Sequence, residues 1–148
     1  MTRSKRMKPV QQLAQNREQQ AVQKLGQSLQ YLQAQQAKLA ELRAYRDQYA
    51  RDFEASGGDG LGATRVQDYR IFLGRLSEAV HQQEAIIAQC CVSHEKTRQQ
   101  WMESRGRSRA VDKLVDRYFL EENKQLDRKE QKEQDDRAQR SPPDPLHR

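Results

Sequence analysis

Proline is missing from the whole of residues 10–141; the chain's four are Pro9, Pro142, Pro143 and Pro145. A proline inside a helix costs roughly 3 kcal/mol, so a proline-free span rich in Gln, Ala, Leu, Glu, Arg and Lys reads as helix and excludes a chain disordered throughout. Cysteine is scarce too. Cys90 and Cys91 are the only two and stand side by side, which is no disulfide framework and fits a reducing cytosol. Nowhere do 18 apolar residues run together, and the basic residues near Met1 lead into no apolar segment, so neither a membrane span nor an export signal is expected. With 34% hydrophobic residues and a mean hydropathy of -1.16, a chain of 148 residues cannot fill a thick core. What remains is a narrow seam.

That seam is written as a heptad repeat. Leu25, Leu32, Leu39 and Phe53 share one heptad position, interrupted by Arg46, and Ala14, Ala21, Ser28, Gln35, Leu42 and Tyr49 fill the complementary one. Val10 and Leu13 continue the series of larger apolar residues toward the start. Further along, Val66, Leu73, Val80, Ile87, His94, Trp101, Ser108 and Val115 stand seven apart, interleaved with Tyr69, Leu76, Gln83, Cys90, Thr97, Ser104, Val111 and Tyr118. A 3.5-residue period held over so many turns specifies a coiled coil.

Between the two runs, Gly57, Gly58, Gly60 and Gly62 crowd into six positions. They match neither the Gly-x-Gly-x-x-Gly of a dinucleotide loop nor the Gly-Lys-Ser/Thr of a P-loop, and no strand precedes them. Glycine visits left-handed dihedrals freely, so the cluster reads as a turn that ends the first helix, with Thr64 the expected N-cap of the second. The resulting expectation is all-α: one antiparallel two-helix coiled-coil hairpin over residues 1–148. Its first helix covers about 6–55, its turn 56–63, its second helix about 64–138, and a disordered tail 139–148. At ~1.5 Å per residue the helices would measure ~75 and ~110 Å. A turn centred near Asp59 and Gly60 sets residue i roughly opposite 119 minus i, hence Val10 opposite about Arg109. The second helix then protrudes, carrying Val111, Leu114, Val115, Tyr118, Phe119 and Leu126 at or past the end of its partner. An apolar stripe left open in this way marks a binding surface.

Catalytic chemistry has no foothold in such a seam, which offers no dry pocket to shift a carboxylate or hold a substrate. Cys90 and Cys91 each stand within helical reach of His94, yet two ligands fall short of the four of a structural zinc site, so no metal and no cofactor are expected. The 27 basic and 21 acidic residues are mostly interleaved, as on solvated helix faces. Local basic excess occurs at Arg3, Lys5, Arg6 and Lys8 and again around Arg98, Arg105, Arg107, Arg109 and Lys113, without the aromatic interleaving of a nucleic-acid surface.

The stretch "DYRIFLGRLSEAVHQQ", residues 68–83, resembles the FliJ family of flagellar protein-export components, with Tyr69, Phe72, Leu73, Leu76, Ala79 and Val80 on the family's pattern. Trp101, "DKLVDR" at 112–117 and "DRKEQKEQDD" at 127–136 are similar to its second helix. The resemblance implies a non-enzymatic antiparallel coiled coil, similar to the central stalk of rotary ATPases, that serves flagellum biogenesis, motility and chemotaxis through type III protein export. Implied partners are the hexameric export ATPase, the export-gate membrane protein FlhA and export chaperones. The implied location is cytoplasmic, peripheral at the inner membrane's cytoplasmic face and tied to the membrane only through the gate, with no nucleic acid. Carried over residue by residue, the gate-contacting surface is Phe72, Leu76 and Ala79, while Gln83 stands where relatives commonly have histidine.

For the ATPase ring, the open end of the hairpin supplies Arg3, Lys5, Arg6, Arg105, Arg107, Arg109, Val111, Val115 and Tyr118 as candidate contacts. Two other classes stay open at this stage, a coiled-coil chaperone and a basic nucleic-acid-binding hairpin. Mixed charge weighs against the second, and a seam already filled by its own partner helix against the first.

Overall fold

A computed structural model describes residues 1–57, 60 and 62–140. It is all-α: helix α1 spans Arg3–Ala55 and helix α2 spans Ala63–Arg140, packed against each other as an antiparallel hairpin. Contacts group the chain into two compact units, one of Gln20–Met102 and one of Met1–Gln19 with Glu103–Arg148. Each pairs a piece of α1 with a piece of α2.

Helix α1 begins earlier than expected, at Arg3 and with Pro9 inside it. The cause is local and then tertiary. The Thr2 hydroxyl accepts the Lys5 N–H at 3.4 Å while its carbonyl accepts the Arg6 N–H at 3.1 Å, so Thr2 caps the helix. Across the seam, Glu122 accepts the Ser4 N–H at 2.9 Å and the Ser4 hydroxyl at 2.6 Å. A carboxylate on the first turn satisfies an orphan donor and favours the positive end of the helix dipole, offsetting the ladder bond that Pro9 lacks.

At its other end α1 stops at Gly57, whose φ of 73° places it in the left-handed region, and whose N–H bonds the Glu54 carbonyl at 3.2 Å. Helix α2 starts one residue before Thr64, because the Gly62 carbonyl accepts from Arg65 and Val66 and takes the cap position expected of Thr64. Gly58, Asp59, Leu61 and residues 141–148 lie outside the described residues; positions 139 and 140, expected in the tail, are helical.

In the unit of Gln20–Met102, burial follows the two heptad frames. Leu32, Leu76, Val80 and Cys90 are buried, as is the polar Gln83, and Leu25, Leu39, Leu42, Leu73 and Ile87 are half-buried between them. Gln83 donates to the Gln35 backbone oxygen at 3.0 Å and to its side-chain oxygen at 2.8 Å, one turn away along the seam, so the buried amide is satisfied rather than orphaned. A buried polar residue with a partner favours one register at some cost in stability.

Register is where the expectation needs correction. Ser28 meets His94 at 3.1 Å and the Phe53 and Tyr69 rings stack at 3.7 Å, so residue i lies level with 122 minus i. In the other unit Gln11 reaches Asp112 at 2.7 Å, placing Val10 near Asp112 instead of Arg109. Two heptad frames mesh only at values seven apart, so the seam decides the register and the turn accommodates it. Leu76→Ala, which empties a buried seam position, is expected to lower the unfolding free energy by about 2–3 kcal/mol, whereas Val92→Ala, on an exposed position, stays within about 0.5 kcal/mol; urea titration followed by circular dichroism checks both.

Candidate functional site

Two stretches hold the candidate contact residues, one in each unit. In the unit of Gln20–Met102, Phe72 stands on the flank of the seam, half-buried, where its ring meets Tyr49 at 4.5 Å and Tyr45 at 6.2 Å, both edge-on. Tyr49 in turn stacks on Tyr69 at 5.4 Å. The edge-on and offset arrangements are those that aromatic quadrupoles favour. Tyr45 remains 54% exposed, so the cluster presents an aromatic surface instead of closing on itself.

Leu76 is not part of that surface. At 8% exposure it is a seam residue, and what it does for Phe72 is hold the helix face that carries it. Ala79 is half-buried on the same flank, and Gln83 is committed to Gln35. The partnership of Tyr45 and Tyr49 with Phe72 is not evident in the heptad reading, which sets Tyr49 in the seam and Tyr45 in neither frame. A weak signal for it exists, since Tyr45 follows Tyr31 and Lys38 at seven-residue steps along the flank of α1.

All nine candidate ring contacts fall in the unit of Met1–Gln19 with Glu103–Arg148. Arg3, Lys5, Arg6, Arg107 and Arg109 belong to it, and the Arg3 guanidinium sits 5.6 Å from the centre of the Tyr118 ring. Of the basic set, Arg3, Lys5, Arg107 and Arg109 are exposed, as is Arg6, while Arg105 is half-buried. Val111, Val115 and Tyr118 are half-buried seam residues covered by α1, which corrects their assignment to a protruding stripe. The earlier start of α1 and the shifted register carry that cover as far as Glu122. Beyond it no described residue of α1 lies level with α2; Phe119, on the outer face, and Leu126 are each 56% exposed.

Of the other chemical candidates, His94 is engaged by Ser28, Cys90 is buried and Cys91 exposed, both as free thiols. Among the described residues no group of three or more His, Cys, Asp or Glu side chains is placed to hold a metal ion, and no helix is long and apolar enough to cross a membrane. Arg98, one of the locally basic residues, is neutralised by Glu95 at 2.8 Å.

The Ser4 bonds hold the Glu122 carboxyl below the usual glutamate range. Because its folded pKa is depressed, the stability it contributes is present above the unfolded value of about 4.3 and is lost as pH falls through the lower folded value. Amide exchange in the first turn of α1 is therefore expected to accelerate on acidification through that window, measured relative to the middle of the helix. Glu122→Gln should remove the step, and its persistence in that variant would assign it to another group.

Residues 3–143 match the family described as Flagellar FliJ protein. No match was found among curated proteins or among solved structures.

Proposed function

The chain belongs to the FliJ family of flagellar proteins, matched over residues 3–143, and from that membership we propose that it links the export ATPase ring to the export gate FlhA and to export chaperones. The family is that of a coiled-coil, non-catalytic component associated with flagellar protein export. The unit of Met1–Gln19 with Glu103–Arg148 engages the ring. Support for this comes from its exposed Arg3, Lys5 and Arg6 near the uncovered Phe119 and Leu126, a basic and apolar combination at the stretch where the cover of α2 by α1 ends, with exposed Arg107 and Arg109 further along the same unit.

A helix pair seated in the axis of a six-fold ring cannot contact six subunits alike. Its differential affinity for their states biases assembly and turnover, which is the only way a bound protein without catalytic groups changes a rate. Adding the protein to the purified export ATPase is expected to raise hydrolysis or hexamer content. A flat response in both across a saturating titration would contradict the proposal.

The gate is engaged through the flank at Phe72, with Ala79 beside it and Leu76 supporting from within the seam. The open aromatic cluster of Phe72, Tyr45 and Tyr49 is the observation that carries this assignment. Phe72→Ala is expected to weaken binding to the cytosolic part of FlhA by roughly tenfold or more, the scale of losing an aromatic anchor, with helicity retained. Undiminished affinity in a folded variant would remove Phe72 from the contact.

A further inference from the structure

We propose that the groove where Val10, Leu13 and Ala14 of α1 meet Val111 of α2 is a docking site for an acidic amphipathic helix of a partner protein. The groove has a volume of about 320 Å3 and lies wholly within the unit of Met1–Gln19 with Glu103–Arg148. Its origin is a run of small seam residues. Ala14 and Ser108 are level with one another and Ser104 is a turn away, so the two helices meet there without a large side chain to fill the space beside them.

Two apolar side chains on the flank of the seam, outside both heptad frames, are open: Val10 is 46% and Leu13 50% exposed. They stand three apart and therefore share a face. The ionisable residues in the lining are Arg17 and Arg107 alone. Neither forms an ion pair with a described residue, and no carboxylate lines the groove.

An apolar trough bordered by two unneutralised guanidiniums selects for apolar side chains flanked by carboxylates. The occupant is helical because the walls are helices whose backbone groups are already bonded to each other, so an extended peptide would find no edge to pair with. This chain's own uncovered segment fits poorly, since Lys124, Arg128 and Lys129 are interleaved with the acids around Phe119 and Leu126.

The inference uses no partner implied by the family. Arg107 and Val111 are also candidate ring contacts, so the test employs the isolated full chain and a peptide, and its failure leaves the ring contact standing. The probe is a fluorescent model helix of about 18 residues with leucines on one face and glutamates flanking them, compared with the same peptide carrying lysines. The glutamate peptide should bind and gain helicity while the lysine peptide does not. Arg17→Glu with Arg107→Glu should weaken the glutamate peptide by roughly tenfold or more and admit the lysine peptide, and Leu13→Gln should weaken binding while leaving the charge preference intact, all with unchanged helicity of the chain. Equal affinity for the two peptides would overturn the proposal, as would glutamate-peptide binding indifferent to these substitutions. So would association with phosphatidylglycerol vesicles in place of the peptide, or dimers abolished by the double charge reversal.

Discussion

The meshing of two heptad frames is the constraint on which everything else in this molecule depends. Neither helix holds a thick apolar face; each offers one line of Leu, Val, Ala and Tyr diluted by Gln, Ser and Arg. Such a line is covered only if its partner presents the matching line at the same level, and that happens at one register in seven residues. Burial therefore alternates three and four residues apart along both helices, and two pairs of polar seam residues are tied across it, Gln83 to Gln35 and Ser28 to His94.

From this register comes the division between covered and uncovered surface. Phe72 stands outside the seam because its neighbours Leu73 and Leu76 occupy it, and its ring then finds the tyrosines of the opposite flank. Leu126 is uncovered because α1 has no residue level with it beyond its capped start at Thr2, and Phe119 faces outward beside the seam. Small seam residues at Ala14, Ser104 and Ser108 open the groove beside Val10 and Leu13.

Much of this is legible in the sequence. Both heptad frames can be assigned residue by residue, and every position placed in them is buried or half-buried among the described residues. Of the glycine cluster, Gly57 stands at the positive φ that a helix C-cap requires. What escapes is long-range. The midpoint of the turn points to a register of 119 minus i, although the two frames themselves allow 122 minus i and not that value. The start of α1 falls at Arg3, ahead of the expected start near residue 6, because its stabilisation comes from Glu122, distant in sequence. These two long-range effects together turn Val111, Val115 and Tyr118 from expected open surface into covered seam. Flank positions such as Tyr45, itself 54% exposed, carry a weaker periodic signal than seam positions because they are only partly covered.

The register is tested most directly by engineered cross-links in a chain whose Cys90 and Cys91 are replaced by serine. Ser28→Cys with His94→Cys brings two level seam positions together and should oxidise rapidly to a disulfide within one chain, independent of protein concentration. Preferential cross-linking of Leu25→Cys with His94→Cys, the pair that a register of 119 minus i would align, or bridges that form only between chains, would contradict the account.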